Sequence, residues 1–151
     1  MSKAETFQAV LSEFSAQVTR LVKAAQDAHK NFTGDEVKSE GKYDTRGTEA
    51  AYLAGAQAEQ AEKAQSALAD LQSYQPRDFD FDDVIALGAI VETEQDGELT
   101  YYFLLPHGGG VTVEHDGFDC SVLTPDAPLY QQLLGHRAGE TLGDLLLLGL
   151  E

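Results

Sequence analysis

The chain has 151 residues, with 26 acidic against 10 basic side chains and a formal net charge of −16. So acidic a balance argues against simple nucleic-acid binding, which needs Lys and Arg against phosphate, and favours a basic protein partner or simply high solubility. No apolar run nears the roughly 18–20 residues that span a bilayer, and the single Cys120 excludes an internal disulfide, so a cytoplasmic protein away from the membrane is expected.

Phe7, Leu11, Phe14, Val18, Leu21, Ala25 and Ala28 follow one another at alternating spacings of four and three, and Phe32 extends the series. This is a heptad seam, and it predicts a long helix over about 3–31. Residues 33–44 hold two glycines, mixed charge and little apolar content, so they read as a loop. A second seam runs through Ala50, Ala54, Gln57, Ala61, Ala64, Leu68 and Leu71 and predicts a helix over 45–73. Its alanines admit close approach of the bulkier first helix. Neither apolar stripe is stable in water alone, so the two helices are expected to form an antiparallel coiled-coil hairpin over 1–75, with its tip at about 33–46. Such a hairpin either reaches into a partner or packs against the rest of the chain or a second copy. Asp44 suits the N-cap of the second helix, and Glu49 suits its first turn, where the helix dipole favours an acid.

The charge is unevenly placed. Residues 1–76 carry eight basic and eleven acidic side chains, a net of −3, whereas 77–151 carry two and fifteen, a net of −13. Pro76 disfavours helix at Gln75, and the acidic run that follows makes 76–83 a linker. The run is either a solvated connector, or Phe79 and Phe81 dock it onto the following domain.

Residues 84–151 read as a small α+β domain. Val84 to Val91 is β-compatible, Asp96-Gly97 is a hairpin signal, and Leu99 to Leu105 is rich in strand formers. Val111 to Val113 and Ser121 to Leu123 are further short strands, and Thr141 to Leu150 is a last one. Pro128 suits the first turn of a short helix over 129–134, with Gly135 as its stop. This order predicts an antiparallel sheet with a helix on one face. Gly108-Gly109-Gly110 lacks the Lys-Ser/Thr of a phosphate loop and reads as a turn. His107 and His115, with Glu114 and Asp116, raise a metal site, though the spacing fits no established ligand pattern. His29 reads as a solvent-side helix residue, and Cys120 as a small buried hydrophobe.

The segment Ala127-Pro128-Leu129-Tyr130-Gln131-Gln132-Leu133-Leu134-Gly135-His136-Arg137-Ala138-Gly139-Glu140 resembles the Ser-Pro-Ile/Leu-x-x-Ala-Leu-Ile/Leu-Gly-Lys-x-x-Gly-Asp segment of the Gre transcript-cleavage factors, a bacterial family. Gly88-Ala89-Ile90-Val91 is similar to the strand that opens the same domain, and Thr100-Tyr101 follows Asp96-Gly97 as in that family. Glu49-Ala50-Ala51-Tyr52 and the residues after it look like the start of the family's second hairpin helix. The resemblance covers about 40–150. Ala127 departs from Ser, His136 departs from Lys, and the tip acids are out of register: Asp44 and Glu49 are five apart, with Arg46 between them, where the family has two acids three apart.

The resemblance implies an FKBP-like C-terminal domain and a transcription elongation factor that is not itself an enzyme. Its hairpin would enter the secondary channel of RNA polymerase, and its C-terminal domain would dock at the rim through Ala127, Pro128, Leu129, Gly135, His136 and Arg137. Asp44 and Glu49 would be the catalytic carboxylates. They would hold a Mg²⁺ ion shared with the polymerase, since hard Mg²⁺ takes carboxylate and phosphate oxygens. The protein would hold no cofactor of its own, make no direct sequence-specific contact with nucleic acid, and act as a monomer. The alternatives are a non-cleaving regulator or inhibitor of the polymerase, an FKBP-type prolyl isomerase, and a coiled-coil adaptor.

Overall fold

The computed structural model describes residues 1–38 and 45–151, with side chains described for 1–30 and 54–151. Helix α1 spans Lys3–Lys38 and helix α2 spans Thr45–Ser73. The second matches its expected limits. The first runs on through residues expected to form the loop. One internal Gly, Gly34, weakens a helix by only about 1 kcal/mol, and Asp35, Glu36 and Lys38 tolerate helix well enough to carry it.

By contacts the chain divides into two units: Met1–Phe14 with Asp70–Glu151, and Ser15–Ala69. In the second unit Val18 and Ala25 of α1 are buried, as are Ala54 and Ala61 of α2. Each pair is seven residues apart, which is the heptad repeat expected of a hairpin. Ala64 and Leu68 are half-buried, but Gln57, placed on the seam by spacing alone, is exposed. An amide has nothing to gain from an apolar seam and turns to water.

The first unit is α+β. Its strands are β1 (Ile90–Gln95), β2 (Glu98–Leu104), β3 (Thr112–His115), β4 (Phe118–Leu123), β5 (Thr141–Leu142) and β6 (Leu145–Leu150), with helix α3 over Pro128–Leu133. They form one sheet in the order β3-β4-β2-β1-β6-β5. The sheet is mixed, not wholly antiparallel as the sequence suggested. β2 pairs in parallel with β4, Tyr101 opposite Cys120 and Leu104 opposite Leu123. The segment from Leu105 to Val111 crosses over, so the β3–β4 hairpin joins with its second strand inward. The turns of the β1–β2 and β3–β4 hairpins are alike. Asp96 and Gly97 have φ of 54° and 82°, and Asp116 and Gly117 have 51° and 86°. Consecutive positive φ values make the tight turn whose twist matches its flanking strands, hence Asp-Gly at both.

Alternation along the strands feeds two cores. Ile90, Tyr101, Phe103, Leu105, Cys120 and Val122 meet Phe7, Val10 and Leu71 on one side. Val91, Leu104, Leu147 and Leu150 meet Phe79, Ile85, Tyr130 and Leu133 on the other. Both faces are therefore covered by helix, not one. Val10, outside the heptad seam, is fully buried. Phe7, Val10, Leu11 and Phe14 together make the broad stripe of a helix that faces a sheet, wider than a coiled-coil seam. Residues 76–83, read as a linker, lie inside this unit. Phe79 is 7% exposed within the second core, while Phe81 is 59% exposed. The expected strand over 84–91 begins only at Ile90, and the expected last strand is broken at Gly143-Asp144 into β5 and β6.

Candidate functional site

The segment that carries the family resemblance folds as a short helix and a stop. Ala127, extended, precedes α3 without a side-chain cap, and Pro128 opens the helix, where its missing N–H removes no bond. Gln131 Nε2 donates to the Pro125 carbonyl at 3.1 Å, which ties the helix to its approach. At the other end Gly135 has φ of 86°, the conformation that ends a helix readily only at Gly. The stop is stitched to the start of the domain. Gly135 N–H donates to the Ile85 carbonyl at 3.0 Å, and Ile85 N–H donates to the His136 carbonyl at 2.8 Å. Arg137 pairs with Val84 in β fashion, and its guanidinium donates to the Asp82 carbonyl.

Glu140 closes the turn. Its carboxylate accepts from the Arg137 backbone N–H and lies 3.3 Å from His136 Nδ1. The Arg137 hydrogen bond above all, and then the charges of His136 and Arg137, hold the Glu140 carboxyl below its ordinary value. Tyr130 and Leu133 point into the core, which leaves Pro128, Leu134 and Arg137 exposed and Ala127, Leu129 and His136 half-buried. The six predicted partner-binding residues thus share one helix and its stop. Leu134, which the sequence did not single out, adds an exposed apolar side chain beside them. Asp44 and the Glu49 side chain lie outside the described residues.

A second arrangement gathers residues far apart in the chain. Lys3 Nζ donates to the carbonyls of Arg77 and Glu151 and lies 4.9 Å from the centre of the Phe79 ring. Burial pushes its ammonium down to about 8. Arg77 stacks on the same ring at 3.7 Å. His115, which reaches Glu151 through its side chain, is completely buried. Its Nδ1 lies 2.5 Å from Thr6 Oγ1, and its Nε2 lies 2.9 Å from Glu151 Oε2 and 3.6 Å from Asp116 Oδ2. The Tyr101 ring stands edge-on to the imidazole at 4.6 Å. The Met1 amino group lies 2.7 Å from Asp116 Oδ1, and that hydrogen bond, with lesser help from His115, keeps the Asp116 carboxyl below its ordinary value.

The expected association of His107 with His115 does not form among the described residues. His107 Nε2 lies 3.4 Å from Asp70 Oδ2, and Glu114 is not in the group around His115. Strand alternation explains the second point: Glu114 faces away from its neighbour His115, which follows it on β3. Thr6 and Glu151 belong to the cluster and were missed. A buried Thr on the first turn of a helix and an acid after an apolar strand carry no local signal of each other. Cys120 is buried as expected, and burial pushes its thiol up to about 12, which makes it inert at neutral pH. The turn reading of Gly108-Gly109-Gly110 is consistent with its bonding, since Val111 N–H donates to the Gly108 carbonyl and Gly110 N–H to that of Val122. Among the described residues no helix is long and apolar enough to cross a membrane.

No family model and no curated protein matches the chain. Among solved structures it is similar to GreA factor homolog 1 (Gfh1) of Thermus thermophilus, at 20% identity over 93% of this chain and 94% of that one, with a TM-score of 0.36. It is similar to a further structure of the transcription factor Gfh1, at 22% identity over 93% and 92% of the two chains, with a TM-score of 0.36. It is also similar to Gfh1 of Thermus aquaticus, at 19% identity over 95% of each chain, again with a TM-score of 0.36.

Proposed function

We propose that this protein is a Gre-like regulator of transcription elongation that binds RNA polymerase. Its hairpin would enter the secondary channel, and its sheet-bearing unit would dock at the channel rim. The observation that carries the reading is the segment 127–140. It resembles the Gre motif, and it folds as a short helix and Gly stop that hold Pro128, Leu134 and Arg137 outward. The heptad burial of Val18, Ala25, Ala54 and Ala61 supports a long hairpin as the probing element. Phe79, Tyr101, Phe103 and Tyr130 direct their rings into the two cores, which supports a docking module over a prolyl isomerase.

The chemistry would belong to the polymerase. Carboxylates at the tip, Asp44 and Glu49, would contribute oxygens to a Mg²⁺ ion that the polymerase and RNA also hold, lowering the barrier to attack by water. The five-residue spacing of these acids, with Arg46 between them, favours a second reading in which the factor binds without promoting cleavage.

Backtracked elongation complexes separate the two. If the factor cleaves, added protein shortens the RNA, and Asp44→Ala or Glu49→Ala slows this by about tenfold or more, some 1.4 kcal/mol of barrier. Retained binding with no cleavage removes the cleavage reading and leaves the non-cleaving one. Absence of binding removes both.

A further inference from the structure

The cluster around His115 has a bonding pattern that the polymerase reading does not use. Thr6 Oγ1 lies within hydrogen-bond reach of both the Ser2 carbonyl, 3.2 Å away, and His115 Nδ1. When its proton goes to the carbonyl, Thr6 Oγ1 accepts from Nδ1–H, which is the tautomer that frees Nε2 as a donor atom. The other ring nitrogen, Nε2, faces two carboxylate oxygens, one from Glu151 and one from Asp116. The Met1 amino group engages Asp116 through Oδ1, which leaves Oδ2 toward the imidazole. Two carboxylates, each on a half-exposed side chain, thus converge on a fully buried ring nitrogen, the donor set of a metal site.

We propose that His115 Nε2, Asp116 Oδ2 and Glu151 Oε2 form a three-ligand site for a divalent transition ion of the zinc class. All three atoms lie within 4.8 Å of one another. Tetrahedral zinc, with bonds of about 2.0–2.2 Å, sets its ligand atoms about 3.3 Å apart. The two separations from Nε2, 2.9 and 3.6 Å, bracket that value. The two separations from Nε2 are within a few tenths of an ångström of that spacing, and both carboxylates are on half-exposed side chains that can adjust to close the site. The bond from Nδ1 to Thr6 is the outer contact that fixes the tautomer and the ring of a metal-bound histidine. The edge of Tyr101 restrains the same ring. One imidazole among the donors favours zinc over Mg²⁺ or Ca²⁺, which prefer all-oxygen sets. Three protein ligands leave a fourth position for water.

The full chain, stripped with a chelator and dialysed, is titrated with Zn²⁺ by calorimetry and with Co²⁺ by visible absorption. The expected result is one ion per chain, with the intense visible bands of tetrahedral cobalt. Glu151→Gln and Asp116→Asn alter exposed carboxylates, so folding should survive, and each should weaken binding by at least about tenfold. His107→Ala should leave binding unchanged. No saturable binding of either ion overturns the proposal. Binding that survives Glu151→Gln and Asp116→Asn, or that is lost in His107→Ala, also overturns it.

Discussion

Phe79 and Phe81 stand two residues apart in the same acidic run and meet opposite environments. Phe79 is sealed between the Arg77 guanidinium, the Lys3 ammonium and the second core, while Phe81 faces water. Phe79→Ala should therefore cost about 3–5 kcal/mol in urea unfolding, and Phe81→Ala less than about 0.5 kcal/mol. Equal effects would show that the run is a solvated connector after all. The sequence offered both phenylalanines equally, because an acidic run with alternating aromatics looks the same whether one ring docks or none does. What decides is Lys3 and Arg77, which bracket the ring at position 79, and only the folded chain brings Lys3 there. The same holds for His115. Its immediate neighbour Asp116 was legible as a possible ligand, but Thr6 and Glu151 come from the opposite ends of the chain.

Elements built by local rules were the legible ones. Periodicity located α2 to its limits, and Asp96-Gly97 located the first hairpin. Asp116-Gly117 carries the same dipeptide signal, and reading it would have placed β3 and β4 correctly. The parallel pairing of β2 with β4 had no such signal, since it depends on where a crossover lands. The glycines allow a test of local against tertiary constraint. At Gly97 an added Cβ meets nothing within 4 Å, so Gly97→Ala should lose only the backbone preference, about 1 kcal/mol. At Gly88, with φ of 96°, a Cβ would also come within 2.9 Å of the Tyr74 hydroxyl. Gly88→Ala should be the more destabilising of the two in chemical denaturation. A smaller loss at Gly88 would mean that Tyr74 does not pack over it.

Across the whole chain, the net charge of −16 resolves into a near-neutral N-terminal half and an acidic remainder. If the acidic half docks on the polymerase, its affinity should fall steeply between low and physiological salt, because surface charges are screened beyond about 8–10 Å there. Binding measured at several salt concentrations checks this, and a flat response would remove charge from the docking contact. The acid pair at the tip was equally plain in the sequence as residues, but Asp44 and the Glu49 side chain lie outside the described residues.

The division of the chain into units has a consequence for how the molecule is made. The first fourteen residues share a core with strands near the other end, Phe7 and Val10 meeting Phe103 and Val122. Residues 15–69 are translated in between. On the ribosome the hairpin can therefore close early from contacts near in sequence, whereas the opening turns of α1 must wait, apolar side uncovered, until β2 and β4 emerge. Pairings so distant in sequence are slow to form. The earliest part of this chain to be synthesised is among the last to reach its native surroundings, and a nascent chain stalled before residue 100 should present that uncovered stripe to whatever chaperone is at hand.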